Sequence, residues 1–195
     1  MRFVVVVDTQ WDFMHPNGAL SVAGADALVP AAEAFLASLT PKDTAGVLFT
    51  FDTHEPEVYA RSAEAEQFPP HCVKGSHGWA NVLEPELVDA AIPVYRIEKG
   101  VFDMWAEDGL LLRDAQDPSV TYERDAFFER LKERVPAVTV IGVAADYCVK
   151  WAVEGLLARG FEVTVPDALT RGIARQIRTV ATEDFAGRLR VIPQA

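Results

Sequence analysis

Short runs of consecutive apolar residues recur along the chain, and longer segments with a helical period separate most of them. Because the runs are continuous rather than alternating with polar residues, they predict strands that are buried on both faces of a parallel sheet. The six runs are FVVVV (3–7), AGVLFTF (45–51), IPVYRI (92–97), AVTVIGV (137–143), FEVTVP (161–166) and LRVI (189–192).

Four other segments place apolar residues three and four positions apart, which predicts amphipathic helices. These segments are 25–39, 122–135, 147–160 and 171–187. Strands that alternate with helices are typical of an α/β protein with right-handed crossovers. The pattern therefore predicts a three-layer α/β/α fold of Rossmann-like type, with a six-stranded, mainly parallel sheet and a single domain over residues 1–195.

The amino-acid composition limits which binding partners and which cellular compartment we expect. The 195 residues are half hydrophobic and carry a net charge of -11 without any basic tract, which argues against nucleic-acid and anionic-membrane partners. No apolar stretch is long enough to span a bilayer, and MRFVVVV is too short for a signal peptide. The two cysteines, Cys72 and Cys148, cannot form a disulfide framework, so we expect free thiols in a reducing cytoplasm.

Reactive side chains follow four of the predicted strands at the point where each strand ends. These residues are Asp8, Asp52 with His54, Lys99 and Cys148. In α/β sheets the chemistry lies at the carboxyl ends of the parallel strands. A long segment rich in proline and glycine, residues 52–90, follows the second strand, and loops of that length are usually functional.

Cys148 is the candidate nucleophile. If Asp146 caps the following helix, Cys148 lies in its first turn, where the helix N-terminus stabilises a thiolate and free N–H groups can bind an oxyanion. Asp8 is the candidate base, and Lys99 supplies the cation that a carboxylate beside a thiolate requires. The alternatives are a packed cysteine, a strand-end aspartate that caps a turn and a solvated lysine.

A second constellation has the composition of a metal site. Asp52, His54 and His71 are a common ligand set for a divalent ion such as zinc, manganese or iron. Glu64 or Glu66 could add a carboxylate, and the spacing alone does not choose between them. The alternative is that all of these are polar residues on the surface of a long loop.

Five separated motifs carry a family resemblance that covers almost the whole chain. VVVVDTQWDF, FTFDTHEP, FPPHCVKG, IEKGVFD and GVAADYCV resemble, in order and spacing, the motifs of nicotinamidases within the isochorismatase-like cysteine hydrolases. The resemblance implies an isochorismatase-like hydrolase fold. It also implies a catalytic triad of Asp8, Lys99 and Cys148, and metal ligands at Asp52, His54 and His71.

The same resemblance assigns further residues. In one branch of the family, a glutamate seven residues before the FPPH histidine is the fourth metal ligand, which selects Glu64 over Glu66. A cis peptide bond between Val143 and Ala144 would direct the Ala144 N–H, with that of Cys148, into an oxyanion hole. Phe13 and Phe68 match positions whose aromatic rings sandwich a pyridine ring.

This chain departs from the family pattern at two positions. Trp11 stands where the family has asparagine, and Phe68 stands where the family often has tryptophan. Both changes bear on the shape of the substrate pocket more than on the reaction class. Trp79, Phe102 and Tyr147 are further candidates for lining that pocket.

The activity implied by the resemblance is the hydrolysis of nicotinamide to nicotinate and ammonia through a cysteine thioester, in NAD salvage. A divalent ion, zinc first with manganese and iron as alternatives, would hold the pyridine nitrogen. Pyrazinamide is a second candidate substrate, and members of the family often form homo-oligomers.

Two other functions remain open. A related amidohydrolase acting on a carbamoyl or ureido substrate would share the triad but would need no metal to bind a pyridine. A metal-binding or thiol-redox protein on the same scaffold would instead pair Cys148 with Cys72.

Overall fold

The computed structural model describes residues 1–193, and one nine-stranded sheet runs through them. The strands are β1 (Arg2–Val7), β2 (Thr44–Asp52), β3 (Val94–Lys99), β4 (Leu111–Asp114), β5 (Thr121–Glu123), β6 (Ala137–Val143), β7 (Glu162–Pro166), β8 (Thr170–Arg171) and β9 (Arg190–Ile192). All six predicted strands are present, and the predicted fold class is confirmed.

The sheet is ordered β5-β4-β3-β2-β1-β6-β7-β9, with β8 paired to β6 beyond the end of β7. Strand β4 is antiparallel to both of its neighbours, β3 and β5, and the other described strand pairings are parallel. The prediction of six strands was too low because β4, β5 and β8 have only four, three and two residues and are rich in polar side chains.

The described residues form six α-helices between strands: α1 (Trp11–Met14), α2 (Val29–Ala37), α3 (Pro56–Tyr59), α4 (Arg124–Arg134), α5 (Cys148–Ala158) and α6 (Ile177–Glu183). Short 3-10 helices cover Asp26–Leu28, Glu64–Glu66, Pro85–Leu87 and Asp167–Leu169. Three of the predicted helices correspond to α2, α4 and α5.

The predicted helix over 171–187 was wrong in its first third. Arg171 belongs to β8 and pairs with Val143, and helix α6 begins only at Ile177. The carboxylate of Asp146 accepts hydrogen bonds from the backbone N–H groups of Ile173, Ala174 and Arg175. These contacts hold the intervening segment as a loop.

Residues of β1 alternate between the two faces of the sheet, which explains its unbroken apolar sequence. Val5 packs in the larger core with residues of α4 and α5, such as Phe128 and Val153. Val4 packs on the opposite face in a second core that contains Leu36 of α2. The sheet is therefore the middle of three layers.

No helix within residues 1–193 is both long enough and apolar enough to cross a membrane.

Gly142, near the end of β6, permits the close approach of β6 to β1. Its φ is 109°, and a Cβ atom there would overlap the carbonyl oxygen of Val7. We expect Gly142→Ala to lower the free energy of unfolding by about 3 kcal/mol, since it combines backbone strain with overpacking.

Urea unfolding of the purified variants tests this expectation. Gly109→Ala is the matched control, because Gly109 has a φ of 71° but no atom lies within 4 Å of its added Cβ. The control should cost about 1 kcal/mol, the strain of the left-handed backbone alone. Equal losses in the two variants would show that the close approach to Val7 is unimportant.

Candidate active site

The carboxyl ends of three adjacent parallel strands bring the predicted reactive residues together. Asp8 directly follows β1, Asp52 ends β2 and Lys99 ends β3, where it is the register partner of Asp52. Cys148 reaches the same edge as the first residue of α5, which follows β6. All four side chains are buried.

Lys99 connects three of these groups through its ammonium nitrogen. Nζ lies 2.8 Å from Asp8 Oδ2, 3.5 Å from Asp52 Oδ1 and 3.8 Å from Cys148 Sγ. Burial alone would lower the pKa of Lys99, but the charges of Asp52 and Asp8 outweigh it, so the pKa lies well above its ordinary value. The lysine is a permanent cation inside the protein.

The environment of Cys148 keeps its sulfur protonated. Burial raises the pKa of the Cys148 thiol well above its ordinary value; the Lys99 charge opposes this rise, and the Asp8 and Asp52 charges add to it. Position at a helix N-terminus therefore does not by itself generate a thiolate here. A nearby base must take the proton when the sulfur reacts.

The predicted N-cap at Asp146 was wrong. Tyr147 is the residue that precedes the helix, and no side chain caps it. The Asp146 carboxylate instead accepts hydrogen bonds from the backbone N–H groups of residues 173–175. These hydrogen bonds connect the loop before Cys148 to the segment after β8.

Three backbone N–H groups at this turn have no acceptor within residues 1–193, those of Ala144, Asp146 and Cys148. Three other N–H groups of the turn are used: that of Ala145 donates to Arg171 O, and those of Tyr147 and Val149 donate to Ala144 O. The peptide bond between Val143 and Ala144 is cis. The free N–H groups of Ala144 and Cys148 have the composition of an oxyanion hole.

Asp52, His54, Glu64 and His71 form a compact cluster beside the lysine. Asp52 Oδ2 lies 3.2 Å from His54 Nε2 and 3.1 Å from His71 Nε2, and Glu64 Oε1 lies 3.4 and 3.1 Å from the same two nitrogens. Neighbouring ligands of a metal ion bound at about 2.0–2.2 Å are about 3.0–3.5 Å apart. The cluster therefore fits one divalent ion.

The charges of the cluster support the same interpretation. Burial alone would lower the pKa values of His54 and His71, but hydrogen bonding to Asp52 and Glu64 outweighs it and raises both to about 9. The carboxylates of Asp52, which is buried, and of Glu64, which is partly buried, thus attract positive charge to the space between them. A divalent cation would supply that charge with both imidazoles neutral.

Two side chains that the sequence analysis did not select hold the ligands in place. Gln10 is fully buried; its Nε2 donates to Asp52 O at 2.8 Å, and its Oε1 accepts from Asp52 N at 2.8 Å. The hydroxyl of Tyr59 donates to the carbonyls of Phe68 and Pro69, each at 3.0 Å. His71 Nδ1 donates to Pro69 O at 2.8 Å, which leaves Nε2 free to bind a metal.

Aromatic rings adjoin the cluster. The Phe13 ring lies edge-on to the His71 imidazole, with centroids 5.4 Å apart. Phe68 makes edge contacts with Phe102 and Tyr147 at 5.4 and 5.8 Å. Trp79 lies farther along, where its indole N–H donates to Thr53. Phe13 and Phe102 thus lie beside His71, and Phe68 and Tyr147 reach the cluster through their contacts with Phe102.

The comparisons with known proteins agree with this geometry. The model of the isochorismatase domain family matches residues 2–192. The chain belongs to the isochorismatase family. It is 30% identical over 189 residues to a nicotinamidase/pyrazinamidase of Mycobacterium tuberculosis, with 95% of this chain and 94% of the relative covered. The family resemblance inferred from the five motifs is confirmed.

Solved structures of family members share the fold. The pyrazinamidase of Pyrococcus horikoshii, solved in complex with zinc, has a TM-score of 0.73 and 23% identity over 99% of both chains. A protein of L. infantum, solved in complex with nicotinate, has a TM-score of 0.72 and 23% identity over 99% of this chain and 92% of that chain.

Trp11 packs on two histidines. Its ring stacks on His15 with centroids 3.6 Å apart and is tilted against His77 at 4.3 Å. His77 is exposed, and Trp11 and His15 are partly exposed. Trp11, His15 and His77 therefore form a surface cluster of three aromatic rings.

Glu64 and Glu66 provide a matched test of the metal cluster. Glu64 Oε1 points at both histidines, whereas Glu66 is exposed two residues away. We expect Glu64→Gln to weaken metal binding by about 10- to 100-fold and Glu66→Gln to leave it unchanged. Titration of metal-free protein with zinc, followed by calorimetry, measures both affinities. Equal affinities for the two variants would remove Glu64 from the ligand set.

Proposed function

We propose that this protein is a nicotinamidase, which hydrolyses nicotinamide to nicotinate and ammonia through a thioester on Cys148. The observation that carries the proposal is the position of Asp52 between the two halves of the site. One of its oxygens lies 3.5 Å from Lys99 Nζ, and the other contacts His54 and His71. A substrate therefore meets the thiol and the metal cluster together.

A pyridine carboxamide suits this arrangement. Its ring nitrogen is a good ligand for a borderline divalent ion, and its carboxamide is held a short, fixed distance away on a rigid plane. Similarity to the M. tuberculosis nicotinamidase/pyrazinamidase supports this substrate class and includes pyrazinamide as a second substrate. A carbamoyl or ureido substrate has no ring nitrogen to use the four-ligand cluster and is not favoured.

The first half of the reaction uses the triad. Asp8 takes the thiol proton, and Cys148 Sγ attacks the carboxamide carbon to form a tetrahedral intermediate. The free N–H groups of Ala144 and Cys148 stabilise its oxyanion. Asp8 then gives the proton to the leaving nitrogen, so that ammonia departs and the thioester remains.

Water completes the cycle in the second half. Asp8 takes a proton from the water as it adds to the thioester carbon, and the same two N–H groups stabilise the second oxyanion. Collapse of this intermediate breaks the C–S bond, releases nicotinate and returns the proton to Cys148. Throughout, Lys99 stays protonated and balances the charge that passes between Asp8 and the sulfur.

Asp52, His54, Glu64 and His71 would hold one divalent ion, zinc first, with manganese and iron as alternatives. When bound, the ion would supply a positive charge that binds and orients the pyridine nitrogen. The zinc complex of the P. horikoshii pyrazinamidase supports this choice of ion. Phe13 and Phe68 would stack on the ring, which keeps the carboxamide aligned with Cys148.

The remaining expectations are also proposals. The single domain over 1–195 is supported by a family match that runs from residue 2 to residue 192. A cytoplasmic location is supported by the cysteine content, since Cys72 and Cys148 are both free thiols. A homo-oligomer is supported by the family resemblance alone.

Ammonia release from nicotinamide tests the function directly. Purified protein should release ammonia, lose this activity on chelation and regain it when zinc, manganese or iron is added back. The rate follows from a coupled enzymatic assay for ammonia. Release from a ureido substrate but not from nicotinamide, under every metal, would replace the proposed function by the alternative amidohydrolase.

Substitution of each cysteine in turn distinguishes the nucleophile from a thiol that takes no part in the reaction. Cys148→Ala should lower kcat by about 10⁴-fold or more, because no covalent intermediate can form. Cys72→Ala should retain most of the activity, since the pKa of this buried thiol is strongly raised and no base is assigned to it. Mass spectrometry of acid-quenched wild-type protein should show the acyl group on Cys148. Full turnover in Cys148→Ala would refute the assignment.

A further inference from the structure

Thr50 is a buried polar residue within the apolar strand β2, and the mechanism above gives it no role. It lies two residues before Asp52, is 2% exposed and is the register partner of Val7, the residue before Asp8. A hydroxyl at such a position must find partners inside the protein.

The Thr50 hydroxyl makes two hydrogen bonds, both with Asp8. The Thr50 hydroxyl donates to Asp8 Oδ1 at 2.5 Å, which is a short hydrogen bond to a charged acceptor. In return, the backbone N–H of Asp8 donates to Thr50 Oγ1 at 3.2 Å and to Thr50 O at 3.3 Å. One threonine therefore holds both the backbone and the side chain of Asp8.

The hydrogen bond from Thr50 gives the two oxygens of the Asp8 carboxylate different surroundings. Oδ1 is occupied by Thr50, whereas Oδ2 lies 2.8 Å from Lys99 Nζ. The same Nζ lies 3.8 Å from Cys148 Sγ, so the lysine ammonium group links Oδ2 to the nucleophile. Asp8 also has a φ of 48°, a conformation that favours glycine and that surrounding contacts must maintain.

We propose that Thr50 is a positioning residue that fixes the Asp8 carboxylate with Oδ2 toward Cys148, so that Oδ2 takes and returns the thiol proton. The inference rests on the proposed roles of Asp8 and Cys148. It extends them by assigning a specific oxygen and the group that selects it. Without the hydroxyl, the carboxylate can rotate, and its buried Oδ1 lacks a donor.

Three variants test the proposal. Thr50→Val removes the hydroxyl and keeps the shape, Thr50→Ser keeps the hydroxyl, and Thr139→Val makes the same change at a buried threonine of β6 away from the site. We expect Thr50→Val to lower kcat for nicotinamide by about 10- to 100-fold, the cost of one hydrogen bond to a charged group. KM should change by less than about threefold, because substrate binding is retained.

The controls should behave differently. Thr50→Ser should recover kcat to within about threefold of wild type, and Thr139→Val should match wild type. Alkylation of Cys148 by iodoacetamide, measured by peptide mass spectrometry, gives a second readout that requires no substrate. Thr50→Val should slow it by a similar factor. If nicotinamide is not the substrate, this readout still tests the link between Thr50 and the sulfur.

Either of two results with Thr50→Val would overturn the proposal. Wild-type kcat and alkylation rates in Thr50→Val would show that the hydroxyl does not position Asp8. Loss of bound zinc together with activity, seen by elemental analysis, would assign Thr50 to the support of Asp52 instead. If Thr50→Val does not fold, Thr50→Ser is compared with Thr50→Ala instead, because these two variants differ only by the hydroxyl. Equal kcat values and equal alkylation rates in this pair would also overturn the proposal.

Discussion

The ammonium group of Lys99, buried between the carboxylates of Asp8 and Asp52, is the interaction on which the site depends. A lysine that is 2% exposed keeps its charge only because two carboxylates lie beside it. The dependence is mutual, since removing one partner of a buried ion pair typically costs about 3–5 kcal/mol. Without the lysine, two buried carboxylates would also face a sulfur that must become negative. The parallel order β3-β2-β1 supplies all three charges at one edge of the sheet.

Asp52 then joins the two chemistries of the site. Its Oδ1 faces Lys99 and its Oδ2 faces the histidines, so the strand end that supports the triad also supports the metal cluster. Strands β1 and β2 each lead to a site residue that is hydrogen-bonded by a residue in, or just after, the other strand. Gln10, which follows β1, holds the backbone of Asp52, and Thr50 of β2 holds Asp8. Thr50 of β2 thus fixes the carboxylate that serves the thiol, and Gln10 after β1 fixes a residue of the metal cluster. The thiol and the metal cluster therefore keep a fixed separation, as a small rigid substrate requires.

Much of this arrangement could be predicted from the sequence, because parallel strands leave a strong signal. Continuous apolar runs located the six main strands, and the residues after them converge at one edge. The failures have local causes. Strand β8 has only two residues, and Asp146 accepts hydrogen bonds from a loop 27–29 residues later, which no local pattern reveals. The choice of Glu64 over Glu66 needed the family pattern, since a 3-10 helix decides which carboxylate faces the histidines. Thr50 was missed because a lone threonine is ordinary in a strand.

The two cysteines show that reactivity here comes from arrangement rather than from residue type. Both are buried and free, and burial raises the pKa of both thiols, so neither is a thiolate at rest. Cys72 donates its backbone N–H to Asp12 and lies in a strained turn with a φ of 45°, which accounts for its position structurally. Cys148 differs because an ammonium group, a fixed carboxylate and two free N–H groups surround it. A protonated resting thiol resists oxidation, and it becomes nucleophilic only when Asp8 accepts its proton as the substrate carbonyl is attacked.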